Sequence, residues 1–168
     1  MTAEEIIRLL ELEPLPGEGG FFKSSYRSSD VLPTSALPER YCGPRQLGSA
    51  IYYLLKPGVC SRLHRLSTDE LFHFYLGDPV SLLLLFPDGT SDVVTLGQDI
   101  ANGQCLQALV PRGCWQGGFV HNGGSFALLG ATMCPGFNYA DFQLGNRKTL
   151  IETYPRHRDL IEKLTEES

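Results

Sequence analysis

The chain has 168 residues, 42% of them apolar and 20% charged, a composition that supports one compact globular domain and excludes a largely disordered chain. Its 14 Lys and Arg stand against 19 Asp and Glu, and the net charge of −5 repels phosphate backbones and anionic lipid, which argues against nucleic-acid and membrane partners. The longest aliphatic run, residues 82–85, falls far short of the roughly 20 apolar residues of a spanning helix, and the acidic opening Met1-Thr2-Ala3-Glu4-Glu5 lacks the basic start of a secretory signal, so a cytoplasmic protein is expected.

The first predicted element is a short amphipathic helix, with Ile6, Ile7, Leu9 and Leu10 on one side and Thr2 and Glu5 spaced as a capping box. It must end by Pro14, because Pro14, Pro16, Gly17, Gly19 and Gly20 cannot continue it. Residues 24–48 carry prolines at 33, 38 and 44 and few apolar side chains, which predicts a long arm or loop crossing the surface. From there short β-type runs alternate with turn chemistry: 50–55, 71–76, 80–86, 91–96, 105–110, 118–121 and 125–134. Strands at this spacing predict an antiparallel sandwich or barrel. A second helical segment spans 150–164, interrupted by Pro155. The domain thus divides into a helix and arm at 1–48, a barrel at 49–145 and a helical end at 146–168.

Five cysteines, Cys42, Cys60, Cys105, Cys114 and Cys134, form no Cys-x-x-Cys pair, and they are expected to be mostly buried small thiols rather than a disulfide framework or zinc ribbon. The run 80–86 is apolar on both alternations except at Ser81, so one face requires a cover, for which a second subunit is expected, giving a homodimer.

Chemistry concentrates between Gly58 and Gly77. His64 is expected to end one strand and Glu70 to open the next, with a five-residue turn between, so that an imidazole and a carboxylate converge in one barrel mouth, where such a pair binds a metal or transfers protons. His64 alone reads first as a satisfied core histidine, and Glu70 at its spacing is what favours a site role. Glu70 opens an apolar, aromatic strand, where a carboxylate costs several kcal/mol unless paired or solvated in the turn. With Glu70 inward, alternation turns Phe72 and Phe74 inward and sends Leu71, His73 and Tyr75 to the other face, unless a bulge reverses the order. Gln116 offers an amide suited to hydrogen-bonding a polar substrate. Gln107 faces a polar cavity or solvent with even weight.

The spacing Gly58, five residues, His64, five residues, Glu70, six residues, Gly77 resembles the first motif of the cupin superfamily. The position of a second histidine is taken by Leu66. The second motif is partly kept: Pro111-Arg112-Gly113 stands in place, while Cys105, Gln116 and Val120 occupy its Gly, His and Asn positions. The segments Glu18-Gly19-Gly20-Phe21, Tyr26-Arg27-Ser28, Asp69 to Tyr75, Pro111 to Gln116, Pro135-Gly136-Phe137 and Asp141-Phe142 resemble a cupin-like family of unknown function, the DUF985 or Cupin_5 type.

The resemblance implies an all-β, cupin-type antiparallel β-barrel or jelly roll with short terminal helices, and Tyr53, Ser61 and Phe137 as cavity neighbours. A convergent acid–base pair without a full metal set is similar to what metal-free sugar epimerases of the superfamily carry. The expected function is binding of a small polar molecule, a sugar or nucleotide-sugar derivative, with proton transfer between His64 and Glu70 and substrate contacts from Gln116, Gln107, Phe72, Phe74, Ser61, Tyr53, Phe137 and His73. No cofactor is required on this reading. A metal-dependent enzyme, a dioxygenase or metal isomerase holding a weakly bound divalent ion on His64, Glu70 and Gln116, and a non-catalytic binding or storage-like module are the alternatives.

Overall fold

The computed structural model describes residues 1–166. The chain opens with α1 (Ala3–Leu10), whose capping box forms as expected: the Thr2 hydroxyl accepts from the Glu5 N–H, and the Glu5 carboxylate accepts from the Thr2 N–H at 2.8 Å. Strands follow as β1 (Glu13–Pro14), β2 (Phe21–Arg27), β3 (Val31–Leu32), β4 (Arg45–Gln46), β5 (Ser49–Leu55), β6 (Ser61–Leu66) and β7 (Glu70–Gly77). The rest are β8 (Val80–Leu85), β9 (Ser91–Leu96), β10 (Gln107–Val110), β11 (Trp115–Val120), β12 (Ala127–Met133) and β13 (Phe142–Leu144), with α2 (Arg147–Thr153) and α3 (Arg158–Lys163) closing the described chain. Residues 167–168 of the expected C-terminal segment lie outside the described residues.

Two antiparallel sheets carry the fold. One has the order β1-β2-β5-β12-β7-β10, the other β13-β6-β11-β8-β9, and β3 and β4 form a separate two-stranded ribbon. The crossing of sequence order between neighbours is jelly-roll topology, in which each sheet turns one apolar face to the other. Tyr53, Leu55, Phe72, Phe74, Leu82, Leu84, Val110 and Leu129 fill the space between the sheets.

Strand β8 shows why both of its faces are apolar. Val80, Leu82 and Leu84 point into that inner core, while Leu83 and Leu85 pack outward on Leu150, Tyr154, Ile161 and Leu164 from the C-terminal helices. The cover is therefore the chain's own helical end, and the expectation that this strand requires a second subunit is corrected. Helix α1 does the same for the other sheet, setting Ala3 and Ile6 on Leu54 and Leu128. Burying Ile6 contributes about 1.5–3 kcal/mol.

Three local expectations are revised. Residues 21–27, the last four of them expected in an arm, form β2, hydrogen-bonded to β5, because sheet pairing supplies what the weak pattern lacks. His64 sits in the middle of β6 rather than at its end, and the turn to Glu70 is only Ser67, Thr68 and Asp69. The cysteines are all free, but Cys114 alone is buried, while Cys42 and Cys134 are exposed.

Candidate functional site

A cavity of about 180 Å³ opens at one end of the space between the sheets. Its wall is aromatic and aliphatic, built from Phe22, Ile51, Tyr53, Phe72, Phe137 and Phe142 among others, and three charged residues reach it: Glu18, Arg27 and Glu70. Glu70 begins β7 and is 8% exposed, its carboxylate facing the cavity because the inward parity of β7 runs Glu70, Phe72, Phe74. Its Oε2 accepts a hydrogen bond of 2.5 Å from Gln116 Nε2. Burial is the main cause that raises the Glu70 pKa to about 7, the negative charge of Glu18 raises it further, and His64 and the Gln116 N–H act against them.

His64 and Gln116 are directly opposed on β6 and β11, each 1% exposed. They lie behind the cavity wall rather than on it. His64 Nδ1 lies 2.7 Å from the Arg62 carbonyl, to which it donates, and this turns Nε2 toward the acids. The ring stacks on Phe142, with centroids 5.1 Å apart. Among the described residues, the carboxylate within ion-pair distance of Nε2 is that of Glu18, at 3.9 Å.

Glu18 was not anticipated as a site residue. It stands between Gly17 and Gly19 in the turn from β1 to β2, and its other oxygen accepts from Ser61 Oγ at 2.9 Å. Two tethers hold that turn against the sheet: the Tyr53 hydroxyl donates to the Gly19 carbonyl at 2.9 Å, and the Arg62 N–H donates to the Glu18 carbonyl at 2.8 Å. An acid in a glycine turn, where solvated polar residues are ordinary, carries no periodic signal. The only sequence trace is that Glu18 falls in the Glu-Gly-Gly-Phe segment.

The structure therefore brings together His64, Glu70, Gln116, Ser61, Tyr53, Phe72 and Phe137, and adds Glu18 and Arg27. Phe74 faces inward but packs in the core away from the cavity wall. Gln107 and His73 are elsewhere. They are paired across β10 and β7 on the outer face, where Gln107 Nε2 lies 3.0 Å from His73 Nδ1, and His73 Nε2 lies 3.0 Å from the Thr132 hydroxyl.

Gln116 turns its N–H, not its oxygen, to Glu70, and its Oε1 is buried without a hydrogen-bond partner. An amide N–H is no metal ligand, and among the described residues no three His, Cys, Asp or Glu side chains are grouped to hold an ion. His64, Glu70 and Gln116 as arranged do not fit a divalent metal.

Residues 4–145 match the family model described as Cupin superfamily (DUF985). The chain is 27% identical over 133 residues to the uncharacterized protein YML079W of Saccharomyces cerevisiae, a match that covers 74% of this chain and 66% of the yeast protein, just under two thirds of that relative. Among solved structures, protein SO0799 from Shewanella oneidensis is similar at a TM-score of 0.88 and 38% identity, over 100% of this chain and 99% of that one. A hypothetical protein from Leishmania major has a TM-score of 0.88 at 30% identity, over 99% of this chain and 100% of the other. Among the described residues no helix is long and apolar enough to cross a membrane.

Proposed function

Since the chain belongs to the cupin superfamily family DUF985, we propose that its end cavity binds a small molecule and that Glu70 and His64 move a proton on it, as an isomerase or epimerase does. The observation that carries this reading is the state of Glu70: a carboxyl group in an aromatic cavity with a pKa of about 7 is about half ionised at neutral pH, which suits a group that both takes and gives a proton. Keto sugars and related carbonyl compounds are the substrate class, because a carbon next to a carbonyl has an acidic C–H.

Ionised Glu70 takes that proton, and the C–H electron pair becomes the double bond of an enolate whose charge rests on the carbonyl oxygen. A proton from His64 Nε2–H, passed on by Glu18, which lines the cavity, reaches the other face of that carbon and gives the epimer. The pair is reset when the proton on Glu70 passes back to His64 through solvent. Gln116 holds Glu70 in place from behind, and Glu18 sets a carboxylate 3.9 Å from His64 Nε2.

The test is exchange of C–H for C–D in deuterium oxide, followed by proton NMR across a panel of keto sugars and small carbonyl compounds. Wild type is expected to wash out one C–H signal of at least one compound, and Glu70→Gln and His64→Ala are expected to slow this by about a hundredfold or more, the typical contribution of a general base. Tight binding without exchange in wild type would instead mark a binding module.

A further inference from the structure

Strand β2 changes the face it presents to the cavity partway along its length. Phe22 and Ser24 line the cavity, two residues apart as strand alternation requires, and the next residue of β2 to do so is Arg27. The break in parity coincides with a register irregularity between Ser24 and Tyr26, where one extra residue, Ser25, is inserted against β5. Without that bulge Tyr26 would face inward and Arg27 outward. Bulges re-aim side chains in this way beside binding sites.

Arg27 then falls in one transverse row with Glu70. Arg27 is opposite Ser49, Ser49 opposite Met133, and Met133 opposite Glu70, and all four line the cavity. Residues directly opposed across strands project to the same face. Three strand spacings of roughly 4.8 Å put the two backbones about 14 Å apart, with Glu70 buried at one end of the row and Arg27 exposed at the other. Arg27 is the cation of the cavity lining. Its NH1 donates to the Gln46 amide oxygen at 3.0 Å, and Gln46 is held in turn by the Ser28 carbonyl at 2.9 Å. A neutral partner positions the guanidinium without cancelling its charge, and among the described residues no carboxylate pairs with it.

We propose that Arg27 is the anion anchor of the cavity, so that its occupant is a small organic acid or phosphate ester oriented with the anionic group at Arg27 and its other end at Glu70. The inference rests on the reading of the cavity as a small-molecule site. The orientation follows from charge: Glu18 and Glu70 at the far side repel an anion, while the guanidinium fork receives a carboxylate or phosphate with two parallel hydrogen bonds. Phe22, Phe72 and Phe137 supply the apolar walls between the two ends.

Calorimetric titration with 3-phenylpropanoate, phenyl phosphate and the neutral 3-phenylpropan-1-ol tests this at low ionic strength. At least one anion is expected to bind wild type about tenfold or more tightly than the alcohol, and the tighter of the two tells carboxylate from phosphate. Arg27→Gln is expected to erase that advantage and leave the alcohol unaffected, while Arg27→Lys retains part of it. Equal binding of anions and alcohol, no binding of either anion, or an advantage that survives Arg27→Gln would each overturn the proposal. The two readings fail separately: an anion preference in a wild type that exchanges no C–H leaves the anchor standing and removes the catalytic assignment, whereas wild-type exchange that is lost in Glu70→Gln, with no anion preference, does the reverse.

Discussion

The Glu18 carboxylate stands 3.9 Å from His64 Nε2, although one belongs to a glycine turn near the N-terminus and the other to the middle of β6. The turn thereby brings a second acid into a site that already holds Glu70, and two carboxylates around one cavity cannot ionise independently. Glu18 raises the Glu70 pKa by its charge while giving the imidazole an anionic neighbour.

Replacing Glu18 by Gln removes the repulsion and keeps an acceptor for Ser61. The Glu70 pKa is expected to fall below its value of about 7, though burial, the larger cause, keeps it above the usual 4.5. Carbon-13 NMR titration of the Glu70 carboxyl reads this directly, and an unmoved midpoint would mean that Glu18 and Glu70 are uncoupled.

The fold was legible in the sequence because strand alternation and turn residues speak for themselves over 49–133. The inward set Glu70, Phe72, Phe74 and the outward placement of His73 follow from period-two patterning, and both are observed. His64, Glu70 and Gln116 were found by their spacing within the two motifs. Glu18 and Arg27 were not, and for different reasons. Glu18 rides on a turn whose tethers are backbone hydrogen bonds to distant strands, while Arg27 owes its direction to one inserted residue, and a bulge is invisible to any argument from alternation. The cover over β8 was misassigned because a helix of the same chain and a partner subunit leave the same apolar signature on the strand they bury.

Glu70 should make stability depend on pH in a sense opposite to an ordinary carboxylate. Its pKa rises from 4.5 in the unfolded chain to about 7 in the folded one, so between those values the folded state binds more protons. Stability is then greatest below pH 4.5, as far as this group is concerned, and falls as pH climbs through 7. The full difference is about 3 kcal/mol as an upper figure, at about 1.4 kcal/mol per pKa unit. Urea unfolding at pH 5 and pH 8 is expected to show wild type losing stability across that interval and Glu70→Gln, which has nothing to ionise, losing less. A variant with the same slope as wild type would place the ionisation elsewhere.

The Glu18 turn has no room for a side chain at Gly19 or Gly20. A Cβ on Gly19, whose φ is +97°, would lie 2.4 Å from the Cys60 carbonyl oxygen, and one on Gly20, with φ +76°, would lie 2.6 Å from the Tyr53 ring. Gly19→Ala must therefore shift the turn and carry Glu18 away from His64. It is expected to lower the Glu70 pKa as Glu18→Gln does while destabilising the fold by about 1–3 kcal/mol through backbone strain. NMR titration and urea unfolding on one sample check both parts, and a variant that unfolds more readily but titrates like wild type would detach the glycine from the site.

A buried ion pair fastens the chain over the cavity. Arg45 of β4 donates to both oxygens of Asp141, from Nε at 2.7 Å and NH2 at 2.6 Å, with both side chains 3% exposed. The remaining nitrogen donates to the Gly43 and Pro44 carbonyls, each at 2.9 Å, so all three nitrogens of the buried guanidinium donate hydrogen bonds. Asp141 lies between Tyr139 and Phe142, which both line the cavity, so the pair ties the ribbon of β3 and β4 to the aromatic wall. Asp141→Ala leaves a buried cation without its anion and is expected to cost about 3–5 kcal/mol, whereas the double change Arg45→Met with Asp141→Leu, which removes both charges, is expected to cost much less. If the pair also sets the wall, the double variant, though folded, should bind 3-phenylpropan-1-ol less tightly than wild type. Unfolding curves for the three proteins separate the electrostatic cost from packing, and an alcohol affinity that does not move in the double variant would confine the pair to a structural role.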